Sequence, residues 1–97
     1  MKLRLTGPAL RQLNAISAYL RDVNPRAAAS VGRAIEATFD TLIMFPAAGR
    51  LQSVPGVRKL ATRKYGYLIY YRVDQKQDQI VVLSIQHGSR QRSMRDV

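Results

Sequence analysis

The chain contains no cysteine, and only six acidic residues stand against sixteen lysines and arginines among 97 residues. Without cysteine there is no disulfide framework and no thiolate metal site, which suits a reducing cytoplasm. Long apolar runs are also missing. None approaches the roughly 20 residues that cross a bilayer. The N-terminus, MKLRLTGPALRQL, has neither a long uncharged core nor a small-residue cleavage site, so no signal peptide is expected. A soluble, cytoplasmic protein with no membrane partner is the expectation. No zinc, phosphate-loop or Ser-His-Asp constellation is evident, so neither metal nor cofactor is expected.

The shortage of carboxylates is uneven. Residues 1–49 carry six basic and three acidic side chains, a net of +3, and residues 50–97 carry ten and three, a net of +7, which together make the +10 of the chain. From Arg50 to Val73 there is no Asp or Glu. Such a balance implies an acidic partner, either nucleic acid, an assembly bound to it, or an acidic protein. A solvated surface that merely keeps the chain soluble is the plain alternative.

What is present is a core and a clear order of elements. With 46% hydrophobic residues, a chain of this size can bury a core without staples, and one domain over residues 1–97 is expected. Lys2 to Thr6 alternates as a short strand, ended by Gly7 and Pro8. Ala9, Leu13, Ile16, Leu20 and Val23 recur at helical spacing, with Arg11, Gln12, Asn14 and Arg21 on the polar side. Asn24-Pro25 suits an N-cap followed by the first helical residue. The second helix runs to about Phe45, its buried face being Ala28, Val31, Ile35, Phe39, Leu42 and Ile43. The short connection predicts an antiparallel helical hairpin. Pro46 to Arg50 stops that helix, and residues 50–57 read as loop, with Pro55-Gly56 a turn. Val57 to Arg63 alternates as a weaker strand. YGYLIYYRV and IVVLSIQHGSR then flank the polar loop DQKQDQ, a β-hairpin with one buried face. Tyr67, Ile69, Tyr71 and Val73 share one parity, as do Val81, Leu83, Ile85 and His87. The basic tail, residues 90–97, is a short helix or is ordered only on binding. The order β-α-α-β-β-β predicts a two-layer α+β domain, the helical hairpin lying on a small antiparallel sheet whose exposed edges can accept a partner strand.

Several stretches together resemble the RelE/ParE superfamily of type II toxins, also described as plasmid stabilisation proteins. They are FPAAGR at Phe45–Arg50, VRKL at Val57–Leu60, YLIYYRVD at Tyr67–Asp74 and the closing HGSR at His87–Arg90, in this order and over nearly the whole chain. The resemblance implies a growth-inhibiting toxin in a hetero-oligomer with a cognate, ParD-like antitoxin, whose flexible C-terminal segment wraps it. RelE-like members cut mRNA in the ribosomal A site, whereas ParE-like members poison DNA gyrase. The alanine-rich helical hairpin and the PxxGR turn look more like the ParE branch, so gyrase is the implied target and ribosome with mRNA the alternative. A degenerate toxin that only binds its antitoxin is a third reading.

Metal-free RNA cleavage needs a base, a cation on the phosphate and an acid for the leaving oxygen. RNA-cutting relatives often supply a Glu or Lys base, paired arginines and a terminal Tyr or His. Here the candidates would be Arg58, Arg63, His87, Lys59 and Lys64, with no carboxylate among them. Gly88 stands where several such relatives carry Tyr. His87 has the parity of the core row, so a structural histidine is the plainer reading. As contacts for a macromolecular target the candidates are Arg50, Arg58, Arg63, Tyr65, Arg90 and Arg92. Tyr67 and Tyr71 are expected in the core with hydroxyls reaching partners, and Tyr65 and Tyr70 to be freer for stacking.

Overall fold

The computed structural model describes residues 1–90. Arg92 and the rest of the basic tail lie outside the described residues. The elements are β1 (Lys2–Leu5), α1 (Gly7–Val23), α2 (Pro25–Met44), β2 (Arg50–Leu51), β3 (Val57–Ala61), β4 (Tyr67–Asp74) and β5 (Gln79–His87), closed by a 3₁₀ turn at Gly88–Arg90. Two helices cover one face of a five-stranded sheet with order β1-β5-β4-β3-β2, the two-layer α+β domain expected from the sequence. Two details differ. The sheet is mixed, because β1 joins its edge parallel to β5, Lys2 opposite Gln79 and Leu5 opposite Val82. And the stretch read as loop holds β2, which pairs antiparallel with β3. A two-residue strand has no readable alternation, so only its partner reveals it.

The helices begin where local chemistry dictates. Thr6 caps α1, its Oγ1 accepting from Ala9 N at 3.2 Å. Asn24 caps α2, its Oδ1 accepting from Ala27 N at 3.1 Å, and Pro25 opens the helix where no N–H is required. Each such cap contributes about 1 kcal/mol. Ala9 from α1 and Val31, Ile35 and Leu42 from α2 meet Tyr67, Ile69, Tyr71, Ile80, Val82 and Ile85 of the sheet in one core.

Strand β5 does not keep one parity. Tyr70 pairs with Ser84 but Tyr71 pairs with Val82, so Leu83 is passed over as a bulge. The extra residue swaps the faces. Ile85 and His87 lie on the helix side, opposite Ile69 and Tyr67, whereas Val81 lies opposite Arg72 on the other face and Ile80 and Val82 take the helix side. The single row Val81, Leu83, Ile85, His87 is therefore corrected. Beyond Val82, where β1 has ended, side chains from the first helix region meet the backbone groups of β5 that β1 would otherwise pair. Thr6 Oγ1 donates to Leu83 O at 3.2 Å, and Ile85 N donates to Gln12 Oε1 at 2.8 Å. Gln12 thus turns from the expected polar side into the sheet.

The sheet's second face is buried in part as well. Val57, Leu68 and Tyr70 form a second buried cluster with Val54 and Leu83 packed on it. The expectation of one buried face is corrected accordingly, and so is that of a freer Tyr70, whose exposure is 1%.

Candidate functional site

The expected contact residues fall into three places. The first is the corner where the β3–β4 turn meets the end of β5. Arg63, Lys64 and Tyr65 are exposed there. Tyr65 and Gly66 both have left-handed backbone, φ 74° and 72°. Thr62, buried beneath the turn, donates its hydroxyl to Lys64 O and accepts from Tyr67 N at 3.2 Å. Gly88 N donates to Gly66 O at 2.7 Å, tying the turn to the end of β5. His87 is exposed, its ring edge-on to Tyr67 with centroids 5.1 Å apart. Its Nδ1 accepts from Ser89 N at 3.1 Å, and Ser89 Oγ lies 2.7 Å away. A backbone N–H can only donate, so the proton of the neutral ring sits on Nε2. Arg90 ends the 3₁₀ turn beside this corner in the chain.

The second place is the turn after α2. Tyr71 Oη donates to Pro46 O at 2.7 Å and accepts from Gly49 N at 2.8 Å. Gly49 is required here: a Cβ would lie 2.7 Å from two Tyr71 atoms and 2.9 Å from Lys59 O. Burial pushes the Tyr71 phenol above its ordinary pKa, opposed by the Gly49 hydrogen bond and the nearby Arg58 charge. Burial likewise raises that of Tyr67. Arg58 is half-buried and donates from Nη1 to Gly49 O at 2.8 Å and Ala47 O at 3.4 Å. This arginine fastens the turn, a role its place in a basic strand did not reveal. Beside it opens a groove of about 340 Å³ lined by Met1, Pro46, Ala47, Leu51, Arg58 and Val73 among others. Met44 and Phe45, just before Pro46, are exposed.

The third place is the sheet face away from the helices. Arg50 and Lys59 are cross-strand partners, and like charges so placed repel. Arg72 lies on the same face, 4.0 Å from Asp74.

These placements separate Arg58 and Lys59 from the other residues that RNA cleavage would require. Arg58 pairs with Tyr71, and His87 with Tyr67, four residues along β4, a span of about 13 Å at the rise of a strand. Lys59 pairs with Tyr70 and so points to the opposite face. Arg63 and Lys64 share the corner with His87. Among the described residues no cluster of three metal-binding side chains occurs, and no helix is long and apolar enough to cross a membrane.

Comparison with known proteins gives the architecture its family. The family model described as "ParE toxin of type II toxin-antitoxin system, parDE" matches residues 3–92. The chain belongs to the ParE toxin family. Y4kP of Sinorhizobium fredii (strain NBRC 101917 / NGR234) is 33% identical over 90 residues, covering 93% of this chain and 91% of that protein. A chain of the chromosomal ParDE toxin-antitoxin system of P. aeruginosa superposes with a TM-score of 0.75 at 28% identity, over 90% of this chain and 95% of that one. The isolated E. coli RelE toxin shares the fold, with a TM-score of 0.64 at 18% identity over 98% of this chain and 89% of that one. The ParE/RelE architecture expected from the sequence is thus the observed one, and the chain is a type II toxin of the ParE/RelE kind.

Proposed function

We propose that this ParE-family toxin arrests growth as a protein-binding inhibitor of DNA gyrase and is neutralised by a cognate, ParD-like antitoxin. One observation carries the choice of an inhibitor over an endoribonuclease: two of the candidate groups, Arg58 and Lys59, lie away from the corner where Arg63, Lys64 and His87 gather, and that corner has no carboxylate base. Arg58 is committed to two carbonyls, Lys59 is on the opposite face, and His87 is about 13 Å along the strand. An inhibitor needs no convergent proton-transfer site, because its affinity is spread over an interface with a few anchors. Gyrase as the target rests on membership of the ParE branch.

The antitoxin segment has a suitable seat. The groove beside the end of α2 offers apolar walls from Met1, Pro46, Leu51 and Val73 with the Arg58 cation in its lining. An amphipathic segment bearing apolar anchors and carboxylates fits that chemistry and the +10 charge of the chain. Coupled folding of such a segment would give a large interface for so small a protein.

The deciding experiment induces the chain alone and assays DNA breaks and mRNA cleavage in the same cells. Breaks with intact mRNA are expected, and co-expression of the adjacent antitoxin gene should restore growth. Cleaved mRNA without breaks would replace gyrase by the ribosome, and no growth arrest at all would mark a toxin that only binds its antitoxin. His87→Ala should leave most toxicity intact in a folded protein. A nuclease would instead lose roughly 10²–10⁴ in rate.

A further inference from the structure

The β3–β4 turn is built against the preference of its own residue. Left-handed backbone is natural for Gly66, and asparagine or aspartate often adopts it, but for a bulky side chain such as Tyr65 it is an outlier. The Tyr65 ring gains no deep burial in return, since it is 44% exposed. The surroundings hold the conformation. Thr62 bonds the turn at Lys64 O and Tyr67 N, Thr62 N reaches Tyr67 O at 2.8 Å and Gly88 N reaches Gly66 O at 2.7 Å. Gly88 permits that approach, a Cβ there lying 3.1 Å from Gly66 O. A rigid frame therefore presents an aromatic ring outward.

What surrounds the ring has one chemical character. Arg63 and Lys64 precede it, both exposed, within a stretch free of carboxylates. His87 Nε2 lies 3.6 Å from where a side chain on Gly66 would begin, and this nitrogen carries the ring proton because Nδ1 is occupied by Ser89. A flat ring, two cations and an N–H donor are the groups that hold an unpaired nucleotide, the ring stacking on the base and the cations on its phosphates.

We infer that the Arg63–Lys64–Tyr65 turn is a binding tip for single-stranded nucleic acid, with one unpaired base stacked on Tyr65 and the flanking phosphates held by Arg63 and Lys64. The tip lies apart from the groove assigned to the antitoxin, and the inference stands whichever macromolecule is the growth-inhibiting target. Stacking and phosphate contacts do not by themselves distinguish DNA from RNA, so both are tested.

The turn supplies its own control. Asparagine suits the left-handed backbone better than tyrosine, so Tyr65→Asn should keep or raise the melting temperature while removing the ring. Fluorescence anisotropy on the purified full chain would compare a labelled oligothymidylate, an oligouridylate and a matched duplex across a salt series. Wild type should favour the single strands over the duplex. Tyr65→Asn should weaken single-strand binding by about tenfold to a hundredfold, the size of one stacked base, with an unchanged dependence on salt. Tyr65→Phe should bind as wild type does. Arg63→Gln with Lys64→Gln should instead lower the salt slope by about 1.4, at roughly 0.7 for each phosphate neutralised on a single strand. A preference for DNA or for RNA in these arms names the source of the strand. Wild-type affinity in folded Tyr65→Asn would overturn the inference. So would an equal loss in Tyr65→Phe, no preference for single strands over duplex, or a Tyr65 requirement seen only with a protein partner.

Discussion

Replacing Tyr71 by phenylalanine tests how the turn after α2 is held to the sheet. The change leaves the ring in place and opens no cavity, so the loss is confined to one hydroxyl. That hydroxyl donates to Pro46 O at 2.7 Å and accepts from Gly49 N at 2.8 Å. Gly49 is buried, and its N–H, left without an acceptor, costs about 1–3 kcal/mol. The lost bond to Pro46 O adds about 1 kcal/mol. A total near 3 kcal/mol is a large share of the roughly 5–15 kcal/mol that holds a domain together. At about 4–8 °C per kcal/mol for a domain of this size, the melting temperature should fall by roughly 12–24 °C. Urea titration should show a lower midpoint with an unchanged slope, the signature of a native-state interaction. A loss below about 0.5 kcal/mol would refute the reasoning, because it would mean that both backbone groups find other partners at no cost.

Three further outcomes follow from the same packing. Gly49→Ala forces a methyl to within 2.9 Å of Lys59 O and 2.7 Å of Tyr71 and should destabilise by about 3 kcal/mol; a double-mutant cycle with Tyr71→Phe should be non-additive. Gln12→Leu strands the Ile85 N–H just past the bulge and should cost about 1–3 kcal/mol, with faster exchange at the Ile85 amide than at Ile69 as the local readout. Burial raises the phenols of Tyr71 and Tyr67 above their ordinary value of 10.0. The folded state therefore holds the phenolic protons more tightly than the unfolded chain, and this contribution is complete below pH 10 and is lost as pH rises from there through the folded values. Urea midpoints should fall on that alkaline side, and less steeply in a Tyr71→Phe background; an identical alkaline limb in the variant would exclude Tyr71 as a contributor.

The sequence was most legible where structure is set by neighbours. Asn24-Pro25 marks the start of α2, and Pro55-Gly56 forms its turn, with Gly56 at φ 79° and Val57 N bonded to Val54 O. Alternation identified β4 because one side of it, Tyr67, Ile69 and Tyr71, lies in the helix-side core. Legibility failed where a partner far along the chain decides. The bulge at Leu83 is met by Thr6 and Gln12, more than 70 residues away, and no pattern within β5 announces it. Tyr70 reads like Tyr71 by type, yet lies in the second buried cluster. Arg58 and Arg63 look alike as cations in a carboxylate-poor stretch; only the carbonyls of Ala47 and Gly49 distinguish the fastened arginine from the exposed one.

The parallel pairing of β1 with β5 bears on when this toxin comes into being. Lys2 finds its sheet partner at Gln79, so β1 is synthesised well before the strand it pairs with. Closing so long a loop takes its entropy before any contact rewards it, and contacts this distant in sequence slow folding. The helical hairpin can form early, but the strand on which Ala9 and Val31 share a core, β5 with Ile80, Val82 and Ile85, does not yet exist. A nascent or truncated chain therefore lacks the frame that positions both the corner at His87 and the edge at β1. Folding of the sheet is thus deferred until β5 has been made, so the helical hairpin exists for an interval without the strand that completes its core.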